Sequence, residues 1–343
     1  MYAGSFYHGQ VPSSLTVSPI NGLRTLRQRL LHPTQRWMRG VALASIVANV
    51  AIVMSGATVR LTESGLGCPT WPSCTGDSLV PVPAPGTPTI HMVIEFGNRL
   101  VTTPVTVIAV LCVLAAWRLR PRRRGLLTLA LLQLAGVGSQ ALMGGIVVLT
   151  ELRPSVVTAH YLISAALIAA TVALYIRAGE GDEPPQPVVR REIRILGWAL
   201  VPVVAVLLLL GTIVTGTGPH GGDATSPRFP FAIQQVTQLH ADVVWITVGL
   251  TFALLLGLRL TNAPAAATRR AAELLVLELA QGAVGYLQYF LGVPPVLVWL
   301  HILGSTLVWI ATLRVAFALR DRGPAVPTDV EVPQATNSAP VNA

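Results

Sequence analysis

Four of the seven histidines in this 343-residue chain recur at one kind of position. His91, His160, His240 and His301 each fall within the first turns of an apolar segment long enough to be a helix. An ionisable side chain inside such a segment is a functional candidate by default, because its buried nitrogens must find a partner. Several at one depth point to ligation of a metal or of a haem iron. A zinc site draws three or four converging ligands, often with Cys or carboxylate among them. Here the natural unit is two histidines on two helices, one pair per half of the chain. That unit suits a flat macrocycle slotted between helices with axial bonds from both sides. His240 and His301 form the complete pair. His8 and His32 lie in the polar N-terminal segment, and His220 reads as a solvated loop residue.

The first half departs from this pattern. Its second segment opens His91-Met-Val-Ile-Glu95-Phe-Gly-Asn98-Arg99, with asparagine where the second half carries His240. His91, Glu95 and Asn98 share one helical stripe. His91 stands about 10 Å along the axis from Asn98 at 1.5 Å per residue. The first pocket is therefore either five-coordinate through His160, or ligated by His91 after a shift of the macrocycle. A pocket with one firm ligand suits a group that enters, reacts and leaves. Glu95 is the sharpest chemical residue, since a lone carboxylate in lipid is costly. Two readings stand for it: an i,i+4 ion pair with Arg99, or a polar group beside a reacting macrocycle that stabilises charge or moves protons. Arg60, Arg99, Arg153 and Arg228 are candidates to meet anionic propionates. Cys68-Pro-Thr-Trp-Pro-Ser-Cys74 lies in a long loop on the same side, and its cysteines can form a disulfide, as a structural clip or a redox-active bond.

The elements that must position these residues are membrane spans. The chain is 52% hydrophobic and 11% charged, against about 25% charged in soluble domains, so the solvent is lipid. A span needs ~20 apolar residues, and eight are expected near 37–59, 92–117, 126–149, 157–177, 195–215, 236–258, 271–291 and 297–319. All 24 basic residues are Arg. With the N-terminus inside, twenty arginines fall on the inner side and four (Arg60, Arg99, Arg153 and Arg228) on the outer. The positive-inside rule then places both termini in the cytoplasm and the histidines near the outer face. The +9 net charge is thus a topology signal, and nucleic acid is not an expected partner. The first 36 residues show no cleavable signal peptide.

The chain also repeats itself. Gln140-Ala-Leu-Met-Gly144 matches Gln281-Gly-Ala-Val-Gly285, and His160 matches His301, both offset by 141 residues. Gly56-Ala-Thr-Val matches Gly211-Thr-Ile-Val, and Asn98 matches His240. Two parallel four-helix bundles follow, residues 37–177 and 195–319, because four spans per repeat keep both halves pointing the same way. Residues 1–36 form a cytoplasmic N-terminal segment, and 320–343 a disordered cytoplasmic tail.

Glu95-x-x-Asn98-Arg99, the spaced His160, His240 and His301, the Gly56 segment and the cysteine pair resemble the heme A synthase family over roughly residues 37–319. The resemblance implies a bacterial-type, multi-pass plasma-membrane oxidoreductase. Its C-terminal half would bind haem b through His240 and His301. Its N-terminal half would take haem O as substrate, near His160, Asn98, Arg99 and His91, with Glu95 catalytic. A ring methyl is oxidised to a formyl group, giving haem A for cytochrome oxidase. The resemblance also implies a Cys68–Cys74 disulfide, with heme O synthase and a second copy of the chain as candidate partners. The family pattern on the second span is Glu-x-x-His-Arg, so Asn98 departs from it. Two rivals are a di-haem b electron carrier, which needs two permanent bis-histidine haems, and a repeat-built transporter, whose polar residues belong nearer the midplane.

Overall fold

The computed structural model describes residues 31–82 and 88–324. Long apolar runs in lipid must satisfy every backbone N–H and C=O internally, which leaves the helix as the only open-ended solution. Among the described residues eight long helices result: α1 (Gln35–Leu61), α2 (Thr89–Arg118), α3 (Arg124–Leu149), α4 (Pro154–Ala178), α5 (Arg191–Thr217), α6 (Ile233–Leu260), α7 (Ala265–Phe290) and α8 (Pro295–Ala318). Seven are long and apolar enough to cross a membrane. The other is α7, whose sequence holds Arg269, Arg270, Glu273 and Glu278.

The helices overrun the expected spans, chiefly at the arginine-rich end. α5 begins at Arg191 and α7 at Ala265, because the hydrogen-bond ladder continues past the apolar segment until a stop intervenes. Those stops are legible. Thr34 caps α1 by accepting from the Trp37 N–H. Pro154 and Pro295 open α4 and α8 at positions where a missing N–H costs nothing.

Packing divides the helices into two rings. α1 packs on α2 and α4, and α3 lies between α2 and α4. Likewise α5 packs on α6 and α8, and α7 lies between α6 and α8. The rings meet through α1 with α8, and through α4 with α5 and α8. The largest buried apolar cluster straddles that seam, joining Ile168 and Val172 of α4 to Val204 of α5, Leu254 of α6 and Trp309 of α8. The Trp309 indole donates to the Ala165 carbonyl across it at 2.9 Å. Large apolar side chains such as Leu142, Leu260 and Phe290 cover the outside.

At the arginine-rich end, buried Arg123 reaches from the α2–α3 loop to Asp182 and to the carbonyls of Arg177, Glu180 and Gly181. The expected disorder from residue 320 gives way at its start. Arg320–Asp321 (β2) pairs antiparallel with Gln186–Pro187 (β1), and Arg320 reaches Glu180 at 3.3 Å. Backbone pairing and an ion pair order these residues despite their polar sequence. Residues 325–343, 83–87 and 1–30, the last including His8, lie outside the described residues.

Candidate functional site

His160 is the seventh residue of α4, His240 the eighth of α6 and His301 the seventh of α8, so all three stand about 10 Å in from the helix starts at 1.5 Å per residue. Each ring meets a glycine of the preceding helix. A Cβ added at Gly144 of α3 would lie 3.6 Å from His160 Cε1. At Gly211 of α5 it would lie 3.4 Å from His240 Cε1, and at Gly285 of α7 3.2 Å from His301 Cε1. Glycine lets the neighbouring backbone close over the Cε1 edge of the imidazole, with Nδ1 also within 4 Å at His240 and His301. The Nδ1 atoms of all three rings are buried with no hydrogen-bond partner among the described residues, although the Leu207 carbonyl is a backbone neighbour of the His240 ring. The residues as a whole are only half-buried.

The repeated glutamines explain the matched spacing. The Gln140 amide donates to the His160 carbonyl at 3.0 Å, and the Gln281 amide to the His301 carbonyl at 2.7 Å. A side chain on one helix thus fixes the histidine-bearing turn of the next, in both rings. The fourth position differs as the sequence foretells. Asn98 Oδ1 accepts from the Ser55 hydroxyl at 2.8 Å, tying α2 to α1, and a Cβ at Gly56, the counterpart of Gly211, would meet nothing within 4 Å.

Glu95 is buried at 4% exposure and fully engaged. Its Oε1 accepts from Arg99 at 2.8 Å, and its Oε2 accepts the Cys68 N–H at 2.6 Å. Arg99 also donates to the carbonyls of Cys68, Thr70 and Ser73. Cys68 and Cys74, both buried, form a disulfide. An unpaired carboxylate at this depth would cost a few kcal/mol. The guanidinium and the amide offset that cost, and the same two side chains clamp the disulfide loop over the start of α2. There the loop meets the first turn of α2 closely, since a Cβ at Gly67 would fall 2.4 Å from the His91 carbonyl oxygen.

Arg60 and Arg228, at the same end of the helices, largely serve backbone. Arg60 reaches from the end of α1 to the Thr215 carbonyl at 2.8 Å and to the His220 carbonyl. Arg228 bonds Ser226 and the Pro219 carbonyl. His220 is not simply solvated: its Nε2 meets the Val293 carbonyl at 2.8 Å, which bridges two outer loops. Among the described residues no three His, Cys, Asp or Glu side chains gather into a metal-ion site. Sequence alone does not reveal these glycines as contacts, although Gly144 and Gly285 stand at repeat-related positions.

A polytopic helical membrane protein with histidines seated at equivalent places in two helix rings is the class that this fold and site define. The chain belongs to the COX15-CtaA family, described as cytochrome oxidase assembly protein, whose profile matches residues 39–313. It is similar to the protein named Heme A synthase of Halalkalibacterium halodurans, 31% identical over 41% of this chain and 46% of that relative. The Heme A synthase of Lysinibacillus sphaericus is 33% identical over 43% of this chain and 47% of its own length, and that of Bacillus mycoides 28% over 43% and 47%. The chain thus spans about half the length of the curated relatives it matches.

Proposed function

We propose that this chain is a membrane heme A synthase, oxidising a ring methyl of haem O to a formyl group to give haem A for cytochrome oxidase. The observation that carries the reading is the triple seat: His160, His240 and His301 each rest Cε1 against a glycine of the preceding helix, and none of their Nδ1 atoms has a side-chain partner among the described residues. An imidazole so held keeps its other nitrogen for a ligand between the helices. The donor set fits a haem, with neutral nitrogens suited to iron in an apolar pocket.

In this reading residues 195–319 hold haem b as cofactor through His240 and His301, and that haem supplies one-electron redox chemistry when bound. Residues 37–177 receive haem O, with His160 as its firm protein ligand. Asn98, whose amide oxygen accepts from Ser55, supplies no imidazole, so the substrate would be held less tightly than the cofactor. His91 remains the alternative second ligand. Glu95 stabilises charge or accepts a proton beside the reacting methyl, and Arg99 holds the carboxylate in place. The two rings are parallel repeats, α7 crosses the membrane with the others, and both termini face the cytoplasm. Heme O synthase and a second copy of the chain are the partners that this reading favours.

The test is haem extraction from protein purified out of cells that make haem O. Haem b together with haem O or haem A supports the synthase, and haem b alone favours a di-haem electron carrier. A folded preparation without haem would sink both. His240→Ala and His301→Ala are expected to lose haem b, and His160→Ala to alter the substrate haem alone.

A further inference from the structure

The disulfide loop contributes one large side chain that the reading above leaves without a role. Trp71 projects from the Cys68–Cys74 loop onto α3, where a Cβ at Gly145 would fall 2.5 Å from Trp71 Cδ2 and 2.7 Å from Cε2. Gly145 is therefore a notch that only glycine leaves open for the indole. It adjoins Gly144, the seat of His160. Consecutive helical positions point about 100° apart, so α3 meets His160 on one side and Trp71 on the adjoining one. The loop that carries Trp71 is fixed to α2 through Glu95 and Arg99. The indole thus lies against the end of α3 nearest the loop, 37% exposed.

The second ring solves the same place differently. The repeat counterpart of Gly145 is Tyr286 on α7, whose hydroxyl accepts from Trp245 of α6 at 3.3 Å. There the seam is closed by side chains belonging to the helices themselves. In the first ring the closing aromatic is carried by a loop, and the helix is cut back to glycine to receive it.

We propose that Trp71 is a substrate-contacting residue of the N-terminal site, its indole forming the α2–α3 wall against which the edge of the haem macrocycle packs. This rests on reading residues 37–177 as the substrate half. An indole offers a broad apolar face with little side-chain entropy to lose, which suits a wall for a flat aromatic ligand. Carried on a loop, that wall can differ between the empty and filled pocket without moving a helix, as a site that must release its product requires.

The experiment titrates the purified full chain in detergent with iron protoporphyrin IX, followed by absorption, taking as the N-terminal phase the one lost in His160→Ala. Trp71→Ala and Gly145→Ala are each expected to weaken that phase by ~10-fold, the scale of one lost aromatic contact, and to leave the other phase unchanged. Trp71→Phe keeps an aromatic wall and stays near wild type, and Tyr286→Ala leaves the N-terminal phase as it was. Thiol counting checks that the disulfide is intact in each variant, and Gly145→Ala, which leaves the loop sequence untouched, carries the test if Trp71→Ala does not fold. Wild-type affinity in Gly145→Ala, or equal losses in Trp71→Phe and Trp71→Ala, would overturn the proposal while the function stands. A His160→Ala protein that keeps both phases overturns the substrate-site reading, and the proposal with it.

Discussion

Glu95 is where two readings of one residue can be separated by chemistry. As a structural group it needs only to accept hydrogen bonds from Cys68 and Arg99. As a reacting group it needs its charge. Glu95→Gln keeps an acceptor oxygen for the Cys68 N–H and removes the charge. It is expected to leave haem content and the disulfide intact while lowering haem A formation by ~10²–10⁴-fold, the range of general acid–base catalysis. Haem A formation at the wild-type rate in Glu95→Gln would reduce Glu95 to a clamp for the loop. Glu95→Ala adds a second effect, because the Cys68 N–H and Arg99 both lose a buried partner. Its disulfide should open faster under a mild thiol reductant than that of Glu95→Gln, as thiol trapping over time would reveal.

At the scale of elements, the glycine seats make a graded prediction. The space above each glycine falls from Gly144 to Gly211 to Gly285. A Cβ 3.6 Å from an imidazole carbon is ordinary contact, and one at 3.2 Å requires the ring or a helix to move. Valine at Gly285 and at Gly211 should therefore shift the haem absorption bands or empty the C-terminal site, with Gly285→Ala already perturbing and Gly144→Ala close to silent. Gly56→Val is the control, since it occupies the equivalent place beside Asn98 and meets nothing. Equal effects at Gly56 and Gly285 would show that the glycines serve helix packing in general. Gln140 and Gln281 belong to the same scale. Each ties the carbonyl of its histidine to the neighbouring helix, so truncating either should loosen one ring and leave the other unchanged.

Over the whole molecule, the two rings are joined by polar contacts at both ends and by apolar packing between. Arg60 crosses from α1 to the end of α5, and Trp299 donates to Thr58 at 3.2 Å. Hydrogen bonds from charged groups contribute about 1.5–3 kcal/mol each. Arg60→Ala should accordingly lower the melting temperature of the detergent-solubilised protein by several degrees, with haem content retained at low temperature. An unchanged melting curve would mean that packing around Trp309 carries the seam alone. The asymmetry of arginines makes a second prediction at this scale. A cysteine placed at Gly125, in the first turn of α3, should react with a membrane-impermeant reagent only after the inner face is exposed.

Much of this was legible in the sequence because lipid imposes simple rules. Apolar length set the helices, and internal spacing matched Gln140 and His160 of one half to Gln281 and His301 of the other. Other features were not legible, because they depend on which surfaces meet. No local pattern tells that Glu95 would turn to the Cys68 amide, that Arg99 would gather three loop carbonyls, or that His220 would bridge to Val293. Nor does local pattern tell that Gly145 would receive Trp71 from another segment. The primary structure determined the helices, since an apolar run in lipid must satisfy its backbone internally, and with them the place of each histidine along its helix. Tertiary structure alone decided what each polar atom and each glycine touches, since those contacts join residues far apart in the chain and exist only once the helices have packed.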